Sequence, residues 1–167
     1  STMMIPITVR LIPSYNLCRN LNMLDTYMGM ILPQVAWSIP FGTFLMRQFY
    51  MGIPKQLDEA AKIDGANHFQ IFWKILLPNT KSSMATLGIY TFISAWNNLI
   101  WMLLSVRSES KWTVTLGISS ICGASVIKQP TWNLIMGVIV IGMIPVLILF
   151  FAFQKYFMQS VAATGIK

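Results

Sequence analysis

The chain has 167 residues, 55% apolar and 10% charged, with 12 basic against 5 acidic side chains and a mean hydropathy of +0.61. Soluble domains carry about 25% charged residues, so this chain cannot cover a water-facing surface, and it is too apolar to stay disordered. Cys18 and Cys122 form no CxxC and indicate neither a disulfide scaffold nor a zinc ribbon. What remains is a membrane protein.

Met3–Val9, with Leu11 and Ile12, reads as the tail end of a span and is too short for a signal peptide. With Ser1 as the opening residue, it implies a missing N-terminal part. Three charge-free runs are long enough to cross a bilayer, which takes about 20 mostly apolar residues. They are Thr26–Met46, Ser82–Val106 and Gln129–Gln154. Each holds helix-disturbing residues: Pro33 and Pro40, then Gly88, then Gly142 and Pro145. Membrane helices tolerate these where neighbours satisfy the freed backbone groups, which fits an all-α multi-pass bundle. Trp101, Trp112, Trp132 and Tyr156 sit near span ends, as in interfacial aromatic belts. The positive charge is spread over loops, so a lipid surface is the expected partner and nucleic acid is not.

Between the first two spans lies a loop, residues 47–81, holding Arg47, Lys55, Lys62, Lys74 and Lys81 with Asp58, Glu59 and Asp64. Helix connections in bundles usually take about 2–8 residues, so a loop this long has a task. It reads as two short helices. Pro54 suits a first helical position, and Asp58 and Glu59 favour the positive end of the helix dipole. Gly65 follows where a left-handed residue would end the helix. A second helix, Phe69 to Leu77, runs until Pro78. Such a pair either docks a soluble partner or lies on the headgroups with Phe69, Phe72 and Trp73 in lipid.

The segment EAAKIDGANHFQIFWKILLP resembles the EAA loop of ABC importer permeases: Glu59-Ala60-Ala61, then Asp64-Gly65-Ala66, then Ile75-Leu76-Leu77-Pro78. Asp25-Thr26-Tyr27, Pro40-Phe41-Gly42, Arg47-Gln48-Phe49, Phe92 to Asn97 and Ile144-Pro145-Val146-Leu147 are similar to the carbohydrate branch of that family, the maltose, glycerol-phosphate and multiple-sugar type. The likeness runs from about Leu11 to Phe157. It implies that residues 1–167 are the C-terminal portion of a six-span permease in a bacterial inner membrane. Its partners would be an ATPase dimer that uses the ATP, a second permease subunit, and an external binding protein delivering a sugar-like solute. The chain itself would bind no cofactor or metal. Glu59 would pair with a basic group of the ATPase, with Ala60, Ala61, Asp64 and Pro78 in the same element. Gly65 would set its corner, and Phe69, Phe72 and Trp73 would anchor it. Ser82, Asn98, Ser160 and Ala163 depart from the family pattern, and the last two leave a tail contact with the ATPase in doubt.

Polar residues at membrane depth are functional candidates by default. Here they are Gln34, Ser38 and Thr43 in the first run, and Thr91, Ser94, Asn97 and Asn98 in the second. None is charged, which fits a neutral, hydroxyl-rich solute; the competing use is hydrogen bonding between helices. With the 47–81 loop and the C-terminal tail inside, seven Lys/Arg face the cytoplasm. Five face out: Arg10, Arg19, Arg107, Lys111 and Lys128. An intramembrane hydrolase would need a nucleophile and a base at matched depth, whereas the lone His68 lies in the 47–81 loop and no GxSxG is present. The absent GxxxxGK[ST] excludes ATP binding through that motif. A non-ABC channel or scaffold is the remaining alternative, and it leaves the EAA-type loop unexplained.

Overall fold

The computed structural model describes residues 2–127 and 132–164, and every described element is helical. In chain order the helices are α1 (Ile7–Asn20), α2 (Tyr27–Met51) and α3 (Lys55–Ile63). Next, His68–Ile71 continues through a π-helical turn, Phe72–Leu76, into Leu77–Asn79, and the three pieces together are α4. Then come α5 (Lys81–Trp96), α6 (Leu99–Ser105), α7 (Val114–Ile127) and α8 (Trp132–Thr164).

The first expected span is α2, one continuous helix despite Pro33 and Pro40, and five residues longer at its end than the charge-free run, from 46 to 51. Arg47 therefore belongs to the helix and not to the loop. The second expected span is two helices, α5 and α6, bent by 52°. The break lies at Asn97–Asn98 and not at Gly88, which sits inside α5. The Asn98 side chain accepts from Trp101 N at 3.3 Å and starts a new helix. That local bond competes with continuing the old one. The third is α8, of which Trp132–Gln154 is long and apolar enough to cross a membrane. Residues 128–131 and 165–167 lie outside the described residues, as do the side chains of Tyr156, Ser160 and Ala163. The N-terminal piece is a full helix reaching Asn20, well beyond the apolar stretch that ends at Ile12. Helix α7 was not anticipated: its 14 residues are apolar but shorter than a span.

The chain divides into two compact units. The first draws on Ser1–Pro40 and Thr91–Leu149, and its core gathers Cys18, Met30, Trp101, Met102, Val106 and Leu116. Trp101 is fully buried, which corrects its placement in an interfacial belt. Its indole Nε1 donates to Gly29 O at 3.1 Å. Gly29 must be small, because a Cβ there would lie 2.0 Å from Met23 O. Trp37 meets Trp101 edge-on with centroids 5.2 Å apart. Trp96 Nε1 donates to Gly142 O at 3.2 Å, so α8 is tied to the end of α5.

A second tie joins the turn before α2 to the segment after α6. Asp25 N donates to Ser105 O at 2.7 Å. The Asp25 carboxylate accepts from the backbone N of Arg107 and of Ser108, each at 3.0 Å, and from Ser108 Oγ. Lys111 Nζ stands 3.6 Å from Asp25 Oδ2. Hydroxyl and backbone donors, with Lys111 beside them, hold this carboxyl well below the usual carboxylate range.

The second unit draws on Phe41–Tyr90 and Phe150–Lys167. Within it α2 and α5 pack closely, with Leu87 methyls 3.5 Å from where a Cβ on Gly42 would stand. The Phe41 and Tyr90 rings lie 4.3 Å apart.

Candidate coupling element

The segment between α2 and α5 is built around one rigid corner. Helix α3 begins after Pro54, which is its N-cap and not its first residue, because its ψ of 129° is extended. The helix ends in a Schellman motif. Gly65 takes φ +79°, Gly65 N donates to Lys62 O at 3.0 Å, and Ala66 N donates to Ala61 O at 2.9 Å. Two residues on, α4 opens with a capping box, a reciprocal pair that the spacing Asn67-x-x-Gln70 encodes. Gln70 N donates to Asn67 Oδ1 at 2.8 Å and Asn67 N to Gln70 Oε1 at 3.0 Å. The left-handed glycine was legible in the sequence. The capping box was legible too and was missed.

Helix α4 does not stop at Pro78 as expected. Proline has no N–H to give a carbonyl four residues back and crowds that carbonyl. The chain widens first, into a π turn in which Leu77 N reaches Phe72 O, and Pro78 sits in the following turn. Such single wide turns inside helices often mark functional sites. Thr80, almost fully buried, then closes the helix, its Oγ1 donating to Leu76 O at 3.0 Å.

The proposed docking residues divide by face. Glu59 and Ala60 are exposed, and Glu59 meets no cation among the described residues. Its neighbour Asp58 is engaged by Lys62 at 2.6 Å. Ala61 is buried, and its carbonyl serves the Schellman bond. Phe69 and Trp73 are 73% and 54% exposed, with centroids 6.4 Å apart. Phe72 is half-buried, edge-on to Trp73 at 5.7 Å and to Tyr50 of α2 at 6.3 Å, so it also ties the element to its own helix. Asp64, Gly65, Ala66, Gln70, Lys74 and Ile75 line an open cleft of about 330 Å³ on the corner.

The expected route residues lie on α2, on α5 and at the break after it. Gln34 and Ser38 share a face of α2 and are half-buried, and Ser38 Oγ bonds its own helix at Val35 O, 2.8 Å away. Thr43 is exposed on the same helix. Thr91 and Ser94 lie on α5, Asn97 is exposed at the break, and Asn98 caps α6. Ser38 and Asn98 thus bond within their own helices and not between helices. Arg10 lies on α1, its guanidinium 6.0 Å from the centre of the Trp37 ring on α2.

Known proteins place this geometry. The chain is 39% identical over 160 residues to the sn-glycerol-3-phosphate transport system permease protein of Yersinia enterocolitica, covering 95% of this chain and 56% of that one. It is 32% identical over 165 residues to the arabinooligosaccharides transport system permease protein of Bacillus subtilis, covering 99% of this chain and 57% of that one. It thus spans just over half the length of these relatives. Its fold is similar to a chain in the crystal structure of a bacterial ABC transporter involved in the import of the acidic polysaccharide alginate. That likeness has a TM-score of 0.70 at 30% identity and covers 87% of this chain and 55% of that chain. Residues 2–163 match the family described as binding-protein-dependent transport system inner membrane component, and the chain belongs to that family of multi-helical membrane transport subunits.

Proposed function

We propose that this chain is part of a permease subunit of an ATP-driven importer in a bacterial inner membrane. Its corner between α3 and α4 docks on an ATPase dimer, and a sugar or sugar derivative passes between it and a second permease subunit after release from an external binding protein. The observation that carries the reading is the corner itself. Two interlocked capping motifs fix a helix pair that turns Glu59, Phe69 and Trp73 outward, away from their own fold. A surface built for a partner keeps rigid aromatic anchors exposed, since such residues dominate interface energetics. A non-ABC channel or scaffold has no use for that arrangement.

Orientation is supported from two sides. The Asp25–Ser108 tie needs the turn before α2 and the segment after α6 on one face of the bilayer, because a carboxylate cannot reach across it. With α2 read as one crossing, the 47–81 segment then belongs to the opposite face. The basic count of seven inside against five outside agrees with an excess on the cytoplasmic side.

A labelling experiment tests the reading. Ile63 is 86% exposed beside the corner and takes no part in its capping bonds. In a chain lacking Cys18 and Cys122, Ile63→Cys is expected to resist an impermeant thiol reagent in sealed cells. It should react once they are opened, and be shielded by the ATPase. Ser110→Cys should react from outside. Reaction of Ile63→Cys in sealed cells would put the corner beyond reach of ATP and end the importer reading.

A further inference from the structure

We propose that the main-chain carbonyl of Trp73 is a docking atom, an acceptor kept open for an N–H donor of the ATPase. The inference rests on the docking reading above and adds the atom through which α4 is gripped. In an ordinary helical turn Trp73 O would take the N–H of Leu77, four residues on. Leu77 N is given to Phe72 O instead, because the turn is wide. In the wide register Trp73 O would take the N–H of the next residue, and that residue is Pro78, which has none. Both donors within the helix are thereby removed, one by the π turn and one by the proline.

The side chains that follow do not make good the loss. Asn79 Nδ2 donates to Ile75 O at 2.7 Å, and Thr80 Oγ1 donates to Leu76 O at 3.0 Å and to Leu77 O at 3.2 Å. The last carbonyls of α4 are therefore served, while one in its middle is open. A main-chain acceptor needs a partner from chain or solvent, and this one stands among exposed residues: Trp73, Lys74 and Pro78. Phe69 and Trp73 are exposed on the same helix, their centroids 6.4 Å apart. Contacts around such anchors exclude water from an interface, and a hydrogen bond strengthens as water leaves. Glu59 and Asp64, exposed on the same element with no cation in ion-pair distance among the described residues, add further acceptors. A protein surface with N–H groups to give complements this set. Acyl chains have no such donor, and anionic headgroups would meet those carboxylates.

The test uses the assembled permease pair in phosphatidylcholine nanodiscs, with and without its own ATPase. Trp73-Lys74 is the one Trp-Lys step in residues 1–167. Carbonyl-13C tryptophan with 15N lysine, in this subunit alone, therefore reports a single carbonyl by NMR. Its 13C resonance should move downfield when the ATPase binds. Pro78→Ala returns an N–H to Trp73 O in either register, from residue 78 in a wide turn or from Leu77 in an ordinary one. In that variant the resonance should lie downfield already and stay unmoved by the ATPase. The ATPase should also bind it about tenfold more weakly, the worth of one hydrogen bond to a charged donor. Binding to Pro78→Ala within twofold of the parent would overturn the proposal and leave the docking reading standing. So would a Trp73 resonance that stays in place while the ATPase binds the parent. A shift produced by adding phosphatidylethanolamine and not by the ATPase would assign the carbonyl to a headgroup and overturn the proposal too. No binding of the ATPase to the parent would overturn both readings.

Discussion

Gly65 is the position where coupling can be loosened without touching the docking surface. Its φ of +79° lies in the left-handed region, and a Cβ added there would meet no atom within 4 Å. A substitution therefore brings no clash with neighbours, and its cost is backbone strain alone. That cost is about 1–2 kcal/mol for an ordinary residue and up to about 3 kcal/mol for a β-branched one held in place. Asparagine tolerates the same backbone at less cost. A penalty of 1–3 kcal/mol is a factor of about 5–150 in a population, and it falls on a corner closed by the Lys62, Ala61 and Asn67–Gln70 bonds. In the assembled transporter in nanodiscs, amide hydrogen exchange at Ala66 and Asn67 should rise by that factor in Gly65→Val, and solute-driven ATP hydrolysis should fall with it. Gly65→Asn should lie between Val and the parent. Exchange in Gly65→Val within twofold of the parent, or as fast in Asn as in Val, would refute the claim that the left-handed glycine sets the corner.

Two further outcomes follow from the first unit. Asp25 has its carboxyl pKa depressed, so its contribution to holding the segment after α6 is complete above the unfolded carboxylate pKa of about 3.9. It is lost only as pH falls through the lower folded value. Amide exchange at Ser108, corrected for intrinsic rate, should therefore be unchanged from pH 8 to pH 5, while Asp25→Asn should speed it at pH 7; loosening of the parent already at pH 5 would contradict this. Gly29→Ala forces a methyl to 2.0 Å from Met23 O. It should cost about 1–3 kcal/mol as overpacking does, read as a lowered Tm in detergent, and an unchanged Tm would show that the turn before α2 yields freely.

Hydropathy and charge-free length carried the spans because the acyl chain selects for both, and α2 and α8 are legible on those grounds. The break at Asn97–Asn98 was not, since Asn98 looks the same whether it lines a route or caps a helix. Only the direction of its side chain, toward Trp101 N, decides. Trp101 misled for a related reason. A tryptophan near a span end reads as a belt residue until a carbonyl freed for it, Gly29 O, is found inside. The corner was half legible. Gly65 stands where a helix end demands it, whereas the contact of Phe72 with Tyr50 depends on a π turn that no periodicity announces.

The same logic governs Arg10. Read along the chain, it ends an apolar stretch and counts with the outer charges. Its neighbour emerges only when the turn at residues 21–26 folds α1 back beside α2 and brings position 10 to position 37. What a charge meets is thus a property of helix pairing and not of the hydropathy of the segment that carries it.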